Sequence, residues 1–189
     1  MRITGWMALG GVLALVGCEP RADTTAHAQR DERAGADEAR RAIAVLHPTD
    51  GNVVRGVVRF EERGDEVRVR ADVRGLPPGS EHGFHVHEHG DCSAPDATSA
   101  GAHFDPDDEP HALPPEEPRH AGDLGNLHVD EDGVARLDRP FEGLTVAGER
   151  AVLGRAVIVH AQADTGRGES GEAGARLACG VIGIASDEG

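Results

Sequence analysis

A chain of 189 residues is long enough for one domain with a sizeable core, and its formal charge of −15 argues against nucleic acid or an anionic membrane face as partner. Aromatic side chains make up 3% of the chain and Tyr is absent, so the core must come from Val, Ile, Leu and Ala. With abundant Gly and Pro for turns, that composition favours β-structure over a helical bundle.

In chain order the first segment is a targeting sequence. Arg2 is followed by an apolar run from Trp6 to Val16, short for a bilayer span, which closes in Leu15-Val16-Gly17-Cys18. That tetrapeptide resembles the bacterial lipobox, which implies cleavage before Cys18 and lipidation there, so that the lipid is the chain's only hold on a membrane. A plain secretory signal or an uncleaved anchor are the other readings, and all three export the protein. Residues 19–41 are Ala, Arg, Asp, Glu and Thr with hardly an aliphatic side chain; a segment unable to bury apolar area reads as a flexible tether.

The folded domain is expected over residues 42–187. Ile43 to Leu46 is a short strand, Pro48-Thr49-Asp50-Gly51 is turn chemistry, and Val53 to Phe60 is a second strand. Asp65 to Gly75 alternates most cleanly. Val67, Val69, Ala71 and Val73 share one face, while Arg68, Arg70, Asp72 and Arg74 share the other. Leu76-Pro77-Pro78-Gly79 turns the chain into a strand around His85. Leu124 to Val129, Val134 to Leu137, Val152 to His160 and Val181 to Ala185 complete about eight strands with no convincing helix, which predicts an all-β sandwich or barrel. The turn Asp130-Glu131-Asp132-Gly133 lacks the closing bidentate Glu of a calcium loop.

Within this frame the histidines cluster. On a strand, His85 and His87 point one way and Phe84 and Val86 the other, so one face is apolar and the other can hold copper or zinc. His103, His111, His120 and Asp123 follow in a Pro-, Gly- and Asp-rich segment predicted to be a long loop, and His160 ends the apolar run Ala156 to Val159.

Gly83-Phe-His-Val-His-Glu, Ser99-Ala-Gly-Ala-His-Phe-Asp-Pro, His120-Ala-Gly-Asp-Leu-Gly-Asn, Val157-Ile-Val-His and Arg176-Leu-Ala-Cys-Gly-Val-Ile-Gly closely resemble copper/zinc superoxide dismutase, in one order from about Ala42 to Ala185. The resemblance implies an eight-stranded Greek-key β-barrel with long metal-binding loops. It implies one copper and one zinc per subunit, with His85, His87, His103 and His160 on copper and His103, His111, His120 and Asp123 on zinc. His103 would bridge the two as an imidazolate and also serve as proton donor. Asp164 would hydrogen-bond His85 and His111, and Arg176 would attract and orient superoxide beside copper on its way to dioxygen and hydrogen peroxide.

In an exported protein whose Cys18 is taken by the lipid, the remaining Cys92 and Cys179 read as a disulfide. The chain-entropy model gives such a closure roughly 4 to 5 kcal/mol. The place of Cys92, just after Gly90-Asp91, resembles the bacterial periplasmic branch. This implies a periplasmic, lipid-anchored protein of the cell envelope, as a monomer or a homodimer. Glu169 and Ser170 stand where animal members carry a steering lysine and a channel threonine, so catalysis is expected to be slower than in the fastest members. A second reading is a membrane-tethered copper and zinc binding protein of the same fold with little turnover. A zinc hydrolase is not supported, because His85-x-His87-x-His89 has no Asp-His pair directly after it.

Overall fold

Alternation of apolar and charged side chains is what this chain converts into sheet. The computed structural model describes residues 40–186, so the signal segment, Cys18 and nearly all of the tether lie outside the described residues. Eight strands follow in order: β1 Arg41–Pro48, β2 Arg55–Arg63, β3 Glu66–Arg74, β4 Glu81–His87, β5 Asp123–His128, β6 Val134–Glu142, β7 Ala156–His160 and β8 Arg176–Ile184. The helical content among the described residues is one 3-10 turn, Thr98–Ala100.

The strands are hydrogen-bonded in the order β5-β4-β7-β8-β1-β2-β3-β6, with every pairing antiparallel. The two ends of that order, β5 and β6, are neighbours in sequence, and the turn between them is pinned by a bridge from Val129 to Ala135. The result is a nearly closed Greek-key barrel. In β3, Val67, Val69, Ala71 and Val73 are buried and Arg70 and Arg74 exposed, as their period of two requires. They pack with Leu46, Phe60, Phe84, Val86 and Ile182 in one core inside the barrel.

Strand β4 is buried on both faces. Phe84 and Val86 enter the barrel core, whereas His85 and His87 face outward and are roofed by the loop that follows. That loop returns along β4: Phe104 N–H donates to Val86 O at 2.8 Å, and His103 bridges to His87.

Strand ends shift by one to three residues from those predicted in β1, β2, β3 and β5, and three shifts are larger. β7 begins at Ala156 rather than Val152, because Val152 is a buried loop residue whose amide bonds Thr145 O. β8 begins at Arg176 rather than Val181, its first half buried without alternation. β6 runs on through Pro140, which is tolerated because β6 ends the sheet order.

Candidate metal centre

Four elements deliver the site. β4 presents His85 and His87, the loop after it His103, His111 and His120, the start of β5 Asp123, and the end of β7 His160. Two groups form on the outer wall of the barrel. One ligand nitrogen from each of His85, His87, His103 and His160 lies within 4.8 Å of the others, and so do one nitrogen from each of His103, His111 and His120 and a carboxylate oxygen of Asp123. His103 belongs to both. All residues predicted as ligands are therefore brought together, and all but the partly buried His120 are buried.

In each ring of the first group the nitrogen pointing away from the group is hydrogen-bonded, so the other is left facing in. His85 Nε2–H donates to Asp164 Oδ2 at 2.8 Å, His87 Nδ1–H to Gly101 O at 2.9 Å and His160 Nδ1–H to Gly174 O at 3.2 Å. In the second group His111 Nε2–H donates to Asp164 Oδ1 at 2.9 Å. His103 Nδ1 lies 2.8 Å from Asp123 Oδ1, His111 Nδ1 2.9 Å from Asp123 Oδ2 and His120 Nδ1 3.3 Å from Asp123 Oδ1, the last two misaligned for hydrogen bonds.

Among the described residues, His85 Nδ1, His103 Nε2, His111 Nδ1 and His120 Nδ1 are buried without any hydrogen-bond partner. Orphaned buried nitrogens are rare in folded proteins, and here all four point into the two groups. Neutral imidazoles in one group suit copper. Three imidazoles and a carboxylate in the other suit tetrahedral zinc. The donor sets fit both metals.

The electrostatics of the groups differ in the same sense. Burial pushes His85 down to about 4, against the pull of Asp164, and His160 down to about 3, with His85 adding to the effect. Burial likewise holds His87 well below its ordinary value. For His111, burial is outweighed by the carboxylates of Asp123 and Asp164 on either side, which lift it to about 9. Asp123 and Asp164 are themselves buried, but their histidine partners hold both carboxyls well below the usual range.

A cavity of about 220 Å³ opens onto the first group, lined by His87, Ala102, His103, His160, Glu169, Ser170, Gly174 and Arg176. Its size admits a diatomic anion and excludes a large substrate. Arg176 is half-buried beside it, with Nη1 donating to Ala97 O and Nη2 to Gly101 O, both at 2.6 Å. The carbonyl of Gly101 thus orients both His87 and Arg176. Those carbonyls belong to the loop that Cys92–Cys179 ties to β8, the disulfide having a Cα–Cα distance of 5.8 Å.

Gly101, Asn126 and Gly171 also shape the site, although none of them stands out as a functional residue in the sequence. Asn126 holds Asp164 by its backbone on both sides, Nδ2 donating to Asp164 O at 2.9 Å and Asp164 N–H to Asn126 Oδ1 at 2.7 Å. Its place three residues after Asp123 was the available signal. Gly171 has a φ of +67°, and a Cβ there would lie 2.0 Å from Asp164 Oδ1. His47, His89 and His128 are exposed and stand outside both groups.

Comparison with known proteins agrees with this geometry. A family model described as copper/zinc superoxide dismutase matches residues 54–182. An extracellular superoxide dismutase [Cu-Zn] of Brugia pahangi is 39% identical over 155 residues, covering 77% of this chain and 76% of that protein. The crystal structure of the clock protein EA4 superposes with a TM-score of 0.70 at 42% identity, covering 77% of this chain and 95% of that one.

Proposed function

The chain belongs to the copper/zinc superoxide dismutase family, and from that premise we propose how its residues share the work. The activity is superoxide dismutation, and the cofactors are copper and zinc. His85, His87, His103 and His160 hold copper. His103, His111, His120 and Asp123 would hold zinc, and His103, a member of both sets, would serve both as an imidazolate. The observation that carries this assignment is the set of inward ring nitrogens in two groups that meet at His103, four of them unpartnered and two more, His87 Nε2 and His160 Nε2, facing each other at 3.3 Å.

When bound, copper supplies a one-electron couple that can both take an electron from superoxide and return one, while zinc has no redox chemistry and locks its ligands in place. Arg176 draws the monoanion into the cavity, since a guanidinium is always charged and keeps donors to spare beyond its two carbonyl contacts. His103 Nε2 would carry one proton for part of the cycle and deliver it to the product peroxide, water supplying the second, while the ring would stay held at the zinc site through its other nitrogen. Asp164 fixes the tautomers of His85 and His111. Two superoxide ions and two protons become one dioxygen and one hydrogen peroxide.

The deciding experiment is superoxide consumption by the purified chain loaded with copper and zinc, beside zinc alone. Rapid loss only with copper supports these roles. Spontaneous decay at full occupancy of both metals would leave a metal-binding protein that kept its ligands.

The leader and the Leu15-Val16-Gly17-Cys18 sequence support export to the cell envelope and lipid attachment at Cys18. Mass spectrometry of the mature N-terminus tests this. Lipidated Cys18 is expected, and loss of membrane association in Cys18→Ser.

A further inference from the structure

The pairing of β1 with β8 runs out just where Arg176 begins its strand. His47 faces Cys179 and Pro48 faces Ala178, and the next amide, Thr49 N–H, donates to Leu177 O at 3.0 Å. One residue on, Asp50 N–H turns away and donates to Pro95 O at 2.8 Å. Arg176 O is met by a side chain instead: Thr49 Oγ1 donates to it at 2.7 Å, with Leu177 O farther off at 3.2 Å.

The aim of that hydroxyl is itself set. Asn52 Nδ2 donates to Thr49 Oγ1 at 2.8 Å, so the oxygen accepts from Asn52 and its own proton is left for the carbonyl. Thr49 is about nine-tenths buried, on the wall of a cavity of about 430 Å³ that Asn52 and Arg176 also line.

The same turn reaches the other end of the arginine. Pro95, held by Asp50, lies two residues before Ala97, whose carbonyl accepts from Arg176 Nη1. On its opposite side the Arg176 backbone pairs with His160 of the copper group. Residues 49–52 therefore brace Arg176 at its backbone and, through Pro95 to Ala97, at its guanidinium.

We infer that Thr49, aimed by Asn52, is a positioning residue that sets where the Arg176 guanidinium meets an anion in the cavity. The inference rests on the proposed role of Arg176 as the docking side chain. Thr49 does not line the cavity that opens onto the copper group but the neighbouring one on the other side of Arg176, so its effect on an anion beside copper passes through Arg176.

The test uses azide, a small monoanion, titrated optically into the copper- and zinc-loaded chain and its Thr49→Val, Thr49→Ser, Asn52→Ala and Arg176→Ala variants. A second readout, independent of copper, is solvent exchange of Arg176 Nε–H by nuclear magnetic resonance in the zinc-loaded chain. Loss of one hydrogen bond corresponds to roughly three- to tenfold. Thr49→Val is expected to weaken azide and to speed Nε–H exchange by that factor at unchanged metal content, Thr49→Ser to behave as the parent, and Asn52→Ala to fall between. Unchanged azide affinity and exchange in Thr49→Val, or an equal loss in Thr49→Ser, overturns the inference. Should Thr49→Val fail to load metal, Asn52→Ala decides by the same readouts. If Arg176→Ala leaves azide affinity intact, it is the docking role of Arg176 that falls, and Nε–H exchange in Thr49→Val still reports whether Thr49 braces the side chain.

Discussion

Asp164 Oδ2 accepts from His85 Nε2 at 2.8 Å, a contact across 79 residues of sequence in which both side chains are fully buried. The second oxygen of the same carboxylate accepts from His111 at 2.9 Å, so one side chain sets a ring in each metal group.

Asp164→Asn should disable one of these two contacts, because an amide has one acceptor oxygen and its NH₂ would face a ring N–H. Loss of such an outer contact commonly costs 10- to 100-fold in metal affinity, and about that is expected for zinc, copper, or both. Competition with a chelator, run for each metal, checks it. Parental affinity for both metals would show that Asp164 is dispensable.

Gly171→Ala should be far more damaging than Gly168→Ala. Both positions have positive φ, +67° and +65°, but a Cβ at Gly171 meets Asp164 Oδ1 at 2.0 Å and His111 Nε2 at 2.7 Å, while Gly168 faces open space. The left-handed backbone alone costs about 1 to 2 kcal/mol. Denaturant midpoints should show that loss at Gly168 and a larger one at Gly171, with weakened zinc binding at Gly171 only. Equal effects would mean that backbone strain accounts for both.

Glu169 shares the cavity with Arg176, so an acidic group sits at the mouth through which an anion must pass on an already acidic chain. The rate is expected to depend weakly on salt, or even to rise with it, since screening relieves repulsion as well as attraction. Glu169→Lys should raise kcat/KM at low salt by roughly two- to fivefold and make it fall with ionic strength. A steep fall already present in the parent chain contradicts the reading.

The metal-free chain should be most stable close to neutrality. His85 and His160, at about 4 and 3, bind fewer protons folded than unfolded, so their contribution is lost as pH drops from about 6.5 towards 3. His111, raised to about 9, works in the opposite direction: its stabilisation is full below about 6.5 and disappears as pH rises through 9. Denaturant midpoints near pH 4.5, 7 and 10 check both limbs. With metals bound the ring nitrogens are engaged and the profile should flatten.

Much of the barrel was legible because half-buried strands carry a period of two. Val67 to Val73 and the His85/His87 face follow from that period alone. The start of β8 at Arg176 was not legible, since Leu177 to Gly180 show no alternation to mark a strand. Nor was the burial of His85 and His87. Their face is closed by a loop whose return along β4 depends on contacts such as Phe104 N–H to Val86 O, which no local pattern encodes.

By itself the sequence determined the donor types, their order and the ring pair at His85 and His87, because those depend on residue identity and strand geometry. Only the tertiary structure decided which nitrogen of each ring faces the groups. That choice is made by the partner on the ring's far side, Gly101 O for His87, Gly174 O for His160 and Asp164 for His85, and each partner arrives from 14 to 79 residues away. The bracing of Arg176 by Thr49 across 127 residues belongs to the same class. A hydrogen bond needs its two atoms within about 3 Å and in line, and for residues so far apart only the closed fold supplies both conditions.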